Sequence, residues 1–413
     1  MSFWHARKED NVKDAENLAI FGGTPVRDHA HKIYYGRQWI GEDDIKAVEE
    51  TLRSNYITCG PKVAELEKKL CEITKAKHAV VCSNGTAALH LACMAIGIKP
   101  GDEVIVSAIT FAASSNCVLY CGGTPVFADI RPDTYNIDVE DVKRKITAKT
   151  KAIVAVDFTG QAVELDELKA ICKEHNLYLI EDAAHSIGTK YKGEPVGSIA
   201  DITTFSFHPV KTVTAGEGGA CMTNNDELYK KLHLLVSHGI TKDPAEMTKP
   251  SEGQWYQQQI MLGYNYRMTD FQGALLLSQL SKLELFSNNR KAIRKKYDEA
   301  FKDVEGLILQ KSIPESDTTQ HLYVIRLDMD KLTCTRKEFF DALYEEGTCP
   351  QVHYVPVYRH PYYENLGYKK GLCPVAEEIY ETTMSIPFYA SLTEEETNDT
   401  IKAVKKVCAY YRK

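Results

Sequence analysis

Between residues 79 and 181, apolar residues arrive in short blocks separated by amphipathic stretches. The blocks 79–82, 103–107, 125–128, 152–156 and 177–181 are strand-sized and rich in valine, isoleucine and leucine. Between them, 86–96, 113–120, 139–146 and 165–175 carry helical patterns. Strands alternating with helices predict an α/β fold with a mostly parallel sheet covered on both faces. Upstream, 42–54 reads as a helix with acids in its first turn, and 61–74 as a second helix opening on Pro61.

The pattern changes after Gly219. Residues 225–237 are helical, 239–262 are polar and irregular, and 268–286 read as one long amphipathic helix. The remainder mixes helices with a strand-like 321–327 and an aromatic-rich 352–363. The expected organisation is an N-terminal arm over 1–32, a large domain over 33–286 and a smaller C-terminal α/β domain over 287–413. No internal repeat or low-complexity segment interrupts this plan.

Composition narrows the class. The chain has 413 residues, 44% hydrophobic and 26% charged, enough for a substantial core. A net charge of -7, with basic residues scattered, gives no nucleic-acid footprint. Apolar runs are too short for a membrane span, and the polar first residues carry no signal core. Twelve cysteines without zinc-type pairs read as reduced thiols of a cytoplasmic protein.

The chemistry collects at strand ends. Cys82-Ser83-Asn84-Gly85-Thr86-Ala87 is a strand, a glycine turn and a helix start, where free N–H groups of Thr86 and Ala87 can meet a phosphate. Phe111 follows the block 103–107 and can lie flat on a heteroaromatic ring. Asp182 ends the block 177–181, and His185 follows. A carboxylate there can keep a pyridine nitrogen protonated, and His185 can contact the ring's phenolic oxygen. Lys211 follows an apolar run, 29 residues after Asp182 and beside glycines, a setting for an imine-forming amine. Ser206 can reach the same phosphate as Thr86. Each residue has a structural alternative: a plain turn for 83–87, a core ring for Phe111, a helix N-cap for Asp182 and a solvated charge for Lys211. Their order along the chain is that of a fold-type I enzyme using pyridoxal 5'-phosphate.

Three stretches carry a wider resemblance: Ser83-Asn84-Gly85-Thr86-Ala87-Ala88-Leu89, Glu181-Asp182-Ala183-Ala184-His185, and Ser206 to Lys211 followed by Gly216-Glu217-Gly218-Gly219. With Gly263-Tyr264-Asn265-Tyr266-Arg267-Met268-Thr269-Asp270, they resemble the DegT-type sugar aminotransferases from about Tyr35 to about Val407. The resemblance implies a large domain with a mainly parallel seven-stranded sheet, a smaller C-terminal domain and a homodimer with shared sites. It implies that Lys211 holds the cofactor, Asp182 pairs with its ring nitrogen and Phe111 stacks on the ring. Thr86, Ala87 and Ser206 would bind the phosphate, and Asn265 would reach the phosphate in the neighbouring subunit. L-glutamate would be the donor, pyridoxamine 5'-phosphate the intermediate form, and a UDP-linked keto sugar the acceptor. Residues 35–38, 58–63 and 237–244 look most like the branch that serves pseudaminic acid biosynthesis, with Trp255 and Tyr256 as a wall of the sugar site. Relatives acting on other UDP- or dTDP-linked keto sugars are the nearest alternative, and a non-catalytic cofactor-binding regulator a more distant one. A dehydratase subgroup carries histidine in place of the lysine. Lys211 disfavours that reading.

Overall fold

The computed structural model describes residues 17–413. Seven strands form its central sheet: β1 (His78–Cys82), β2 (Glu103–Ser107), β3 (Thr124–Ala128), β4 (Thr150–Val156), β5 (Tyr178–Asp182), β6 (Ile202–Ser206) and β7 (Gly219–Thr223). Their order is β1-β7-β6-β5-β4-β2-β3. Neighbours run parallel except β7, which is antiparallel to both β1 and β6. In the parallel register Val156 pairs with Asp182, and Asp182 with Thr204, so the ends of β4 and β5 lie level while β6 runs on to Ser206.

Helices α1 (Pro61–Thr74), α2 (Gly85–Ala95), α3 (Ala113–Tyr120), α4 (Leu165–His175), α5 (Asp226–Leu235) and α6 (Asp270–Ser281) cover the sheet. Alternation along each strand divides the core in two. Val81, Ile105, Ile153 and Leu179 pack with Leu66 and Leu70 of α1, Leu168 of α4 and Leu276 of α6. Their neighbours Val80, Val104, Val154 and Ile180 pack with Leu91 of α2, Val118 of α3 and Leu232 of α5. This double burial is why the strands read as continuous apolar blocks.

The expected long helix over 268–286 is instead two helices. The chain breaks at Lys282 (φ −104°, ψ 6°) and continues as α7 (Leu283–Phe301). The Lys282 ammonium sits 2.9 Å from Asp43 and 2.6 Å from buried Asp44, which holds the break against the start of the Glu42–Leu52 helix. The amphipathic pattern carries no mark of this, because Leu276, Leu280, Leu283 and Phe286 keep a helical spacing across the break and pack on the same core.

The C-terminal part is built on a three-stranded antiparallel sheet of β8 (Leu307–Leu309), β9 (Tyr323–Leu327) and β10 (Thr383–Ile386). Helices α7, α8 (Arg336–Glu345) and α9 (Glu394–Tyr411) pack around it through Tyr297, Phe339 and Val404. The segment from residue 17 joins this core: Leu18 and Ile33 are buried in it. Buried Glu346 fastens that segment by accepting from Ala19 N–H at 2.8 Å, Val26 N–H at 3.0 Å and Lys406 Nζ at 3.0 Å. The first half of the expected arm, 1–16, lies outside the described residues. Among the described residues no helix is long and apolar enough to cross a membrane.

Candidate active site

The site starts from the β1–α2 turn. Asn84 caps α2 by accepting from the Ala87 N–H at 2.8 Å. The expected phosphate donor at Ala87 is therefore already used inside the turn, while the N–H groups of Gly85 and Thr86 have no partner among the described residues. Gly85 lets Ser206 approach: a Cβ there would stand 2.8 Å from Ser206 Cβ and 3.0 Å from its Oγ. The end of β6 thereby brings a serine hydroxyl to the start of a helix, a ready anion cradle.

Asp182 ends β5 and is buried. Ser114 of α3 donates its hydroxyl to Oδ2 at 2.6 Å, and the Ala184 N–H donates to Oδ1 at 3.2 Å. Burial still raises the Asp182 pKa, although Ser114, Ala184 and the Lys211 charge pull it down. The alternative reading of Asp182 as a helix N-cap is not realised, because residues 184–188 form turns. Phe111 keeps 62% of its surface exposed, so its ring is not a core ring. It borders the cavity and faces Tyr354 at 6.2 Å between centroids.

Lys211 carries no ion pair or hydrogen bond from its ammonium among the described residues. Burial lowers its pKa to about 8, against the weaker opposing pull of Asp182. His185 is buried against His321, with ring centroids 4.3 Å apart. Burial, with Lys211 nearby, holds both imidazoles well below their usual pKa, so both are neutral. Nδ1 of His185 is buried without a partner among the described residues.

One cavity of about 760 Å³ gathers these groups. Of the residues expected from sequence, Thr86, Ala87, Phe111, Asp182, His185, Ser206 and Lys211 line it. Asn265 does not. It is exposed, in a stretch that bridges back to Ser237. Trp255 is 77% exposed and also stands outside the cavity wall of its own chain. The structure adds Ser114, which holds Asp182, and Tyr35, His353 and Tyr354, which line the wall. Ser114 lies in the helical stretch 113–120 and His353 and Tyr354 in the aromatic-rich run, but nothing local to those positions ties them to Lys211.

The residues fit pyridoxal 5'-phosphate. An unpaired lysine, a carboxylate without a direct cation partner and an uncovered aromatic face meet in one cavity. At its edge lies a helix start with free N–H groups that only a glycine leaves open to Ser206. Together they suit a flat, protonated heteroaromatic ring with a carbonyl and an anionic tail.

Comparison with known proteins agrees. The model of the DegT/DnrJ/EryC1/StrS aminotransferase family matches residues 38–405. The spore coat polysaccharide biosynthesis protein SpsC of Bacillus subtilis is 40% identical over 386 residues, covering 92% of this chain and 98% of that one. The UDP-4-amino-4,6-dideoxy-N-acetyl-β-L-altrosamine transaminase of Campylobacter jejuni is 39% identical over 363 residues, covering 87% and 93%. Among solved structures, Helicobacter pylori PseC, an aminotransferase involved in the biosynthesis of pseudoaminic acid, superposes with a TM-score of 0.86 at 33% identity, covering 92% and 100%. The putative sugar aminotransferase Spr1654 of Streptococcus pneumoniae, solved in pyridoxal phosphate (PLP) and pyridoxamine phosphate (PMP) forms, gives 0.84 in each, at 32% and 33% identity. Those two matches cover 92% and 91% of this chain and 99% of the other.

Proposed function

The chain belongs to the DegT/DnrJ/EryC1/StrS aminotransferase family, and on that footing we propose that it moves the amino group of L-glutamate to C4 of a UDP-linked 4-keto-6-deoxy-N-acetylhexosamine. It is a sugar aminotransferase that uses pyridoxal 5'-phosphate. The observation that carries the site assignment is the meeting of Lys211 and Asp182 in one cavity, the lysine partly unprotonated near neutral pH. The relatives named for altrosamine transamination and pseudoaminic acid biosynthesis support the acceptor and a place in pseudaminic acid biosynthesis.

Bound pyridoxal phosphate supplies an electron sink and carries the amino group between the two substrates. The chain's residues do the rest. Asp182 holds a proton on the ring nitrogen, and Ser114 keeps that carboxylate ionised and aimed. Phe111 would stack on the ring face. Gly85, Thr86 and Ser206 anchor the phosphate end. Neutral His185, which lines the same cavity, would contact the ring's phenolic oxygen. Lys211 Nζ takes the proton from the donor's α-carbon, and in the second half-reaction places a proton on C4 of the sugar. Asn265 of one subunit reaches the phosphate in the other, so the working unit is a homodimer with shared sites.

The test is an absorbance spectrum of the holoenzyme with L-glutamate and then the UDP keto sugar. The visible band of the pyridoxal form is expected to give way to the near-ultraviolet band of the pyridoxamine form, and to return with the sugar. A return with a different nucleotide-linked keto sugar alone would move the assignment to the second reading. The resemblance to SpsC, a polysaccharide biosynthesis protein, favours that reading.

A further inference from the structure

His353 enters the cavity from the C-terminal part of the chain, on a rigid footing. Gln351 N–H donates to Ser385 O at 2.9 Å, and Ser385 N–H returns the bond to Gln351 O at 2.7 Å. Ser385 itself belongs to β10. The His353 ring sits between those of Tyr35 and Tyr354, with centroids 5.0 and 4.8 Å away.

Nδ1 of His353 lies 2.9 Å from Ser385 Oγ. One proton occupies that bond, and the partners decide whose it is. If Nδ1 carried it, the Ser385 hydroxyl hydrogen would have no acceptor among the described residues. Buried hydroxyls keep their protons bonded. The serine therefore donates, Nδ1 accepts, and the ring's own proton lies on Nε2. Nε2 has no partner among the described residues, and the residue borders the cavity that holds Lys211. Burial, helped by the Lys211 charge, lowers the His353 pKa to about 3. The ring is thus a fixed N–H donor that takes up no proton over the working range.

We propose that His353 orients substrate by donating from Nε2 to an oxygen on the atom next to the reacting carbon. In one half-reaction this is a carboxylate oxygen of the amino donor. In the other it is a hydroxyl oxygen of the keto sugar. The inference rests on the aminotransferase reading above, since both substrates of such an enzyme take turns at one place. An acceptor oxygen flanks the reacting carbon in each, so a single neutral donor serves both without favouring one charge.

The test uses the holoenzyme and the variants His353→Phe, His353→Gln and Ser385→Ala. Each half-reaction is followed separately, as a single turnover at varied substrate. His353→Phe is expected to raise the half-saturating concentration of both substrates by about tenfold, with cofactor affinity unchanged. His353→Gln, whose amide nitrogen reaches to the place of Nε2, should recover much of the loss. Nitrogen-15 spectra of labelled histidine should show one protonated Nε2 that disappears in His353→Phe and becomes a tautomer mixture in Ser385→Ala. Unchanged saturation by both substrates in His353→Phe, or a proton found on Nδ1, overturns the proposal. If the wild type fails to react with L-glutamate at all, the donor assignment falls, and the tautomer spectrum still decides the state of His353.

Discussion

The hydroxyl of Ser114 donates to Asp182 Oδ2 at 2.6 Å, and Thr110 Oγ1 stands 2.6 Å from the same Ser114 oxygen. The acid expected to hold the ring nitrogen is thus steadied from the first turn of a neighbouring helix. Removing that donor should raise the Asp182 pKa further, because burial already pushes it up and Ser114 is the largest opposing influence. A hydrogen bond to a charged group contributes about 1.5–3 kcal/mol. Ser114→Ala is therefore expected to slow the glutamate half-reaction about 10- to 100-fold while cofactor still binds. Asp182→Asn should be slower still. Single-turnover absorbance measures both, and a wild-type rate in Ser114→Ala would remove the serine from this role.

Lys211 gives a prediction in pH. A buried amine with a pKa of about 8 is substantially neutral where a free lysine is almost wholly charged. Only the neutral amine attacks the cofactor carbonyl. The rate at which cofactor-free protein captures pyridoxal phosphate should therefore rise as pH climbs through about 8 and level off above it. A rate that kept rising to the range of an ordinary lysine would show that Lys211 is not desolvated in solution. Lys211→Ala should keep the fold and lose turnover altogether.

Gly85 separates a binding effect from a stability effect. An alanine inside a helix is normally favoured over glycine by about 1 kcal/mol. Here its Cβ would meet Ser206 Cβ at 2.8 Å and Ser206 Cα at 3.4 Å, atoms that cannot swing aside. Gly85→Ala is expected to leave thermal stability of the cofactor-free protein near that of the wild type. Its cofactor affinity should fall about tenfold or more. A thermal shift and a cofactor titration on the same preparation check the pair, and unchanged affinity would mean that the turn opens freely.

What the sequence made legible follows from what is local. Strand ends at 107, 156 and 182 were readable because double burial demands unbroken Val/Ile/Leu blocks, and the parallel sheet then sets those ends level. Thr86, Phe111, Asp182 and Lys211 could be picked out because each stands immediately after such a block or its turn. Their assembly into one cavity needed the register of the sheet. The contributions of Ser114, His321 and His353 were not legible: each depends on a contact across many residues, such as the Nδ1–Ser385 bond, that no periodicity records. The break at Lys282 was missed for the same reason, since it is held by an ion pair with the distant Asp43 and Asp44. That the Ala87 N–H is already bonded was not legible either, because Asn84, read only as part of a turn, is the cap of that helix.

Asn265 stands apart from the cavity of its own chain, which makes the shared-site proposal testable by mixing. Lys211→Ala and Asn265→Ala, refolded together in equal amounts, should form mixed dimers in which one site has both residues intact. Random pairing would restore about a quarter of wild-type activity, more than either variant gives alone. No gain on mixing would place Asn265 outside the neighbouring site.

Asp157 and Glu181 bear on stability and not on turnover. Both are buried at the ends of β4 and β5, on the side of the sheet away from Asp182. Asp157 accepts from the Ser186 hydroxyl at 2.5 Å and the Val163 N–H at 3.0 Å. Glu181 accepts from the Thr203 hydroxyl at 2.7 Å through one oxygen, and its other oxygen has no donor among the described residues. A proton on Asp157 shared with Glu181 satisfies that oxygen, and burial raises both pKa values, Glu181 to about 7. The folded chain then holds more protons than the unfolded chain between about 4.5 and 7. By linkage this contribution to stability is full below that window and is lost as pH rises through it. Asp157→Asn supplies an amide donor to Glu181 and leaves no second acid. Urea midpoints measured from pH 4.5 to 7.5 should therefore fall for the wild type and fall less for Asp157→Asn. Parallel curves for the two proteins would mean that no proton is shared between these carboxyl groups.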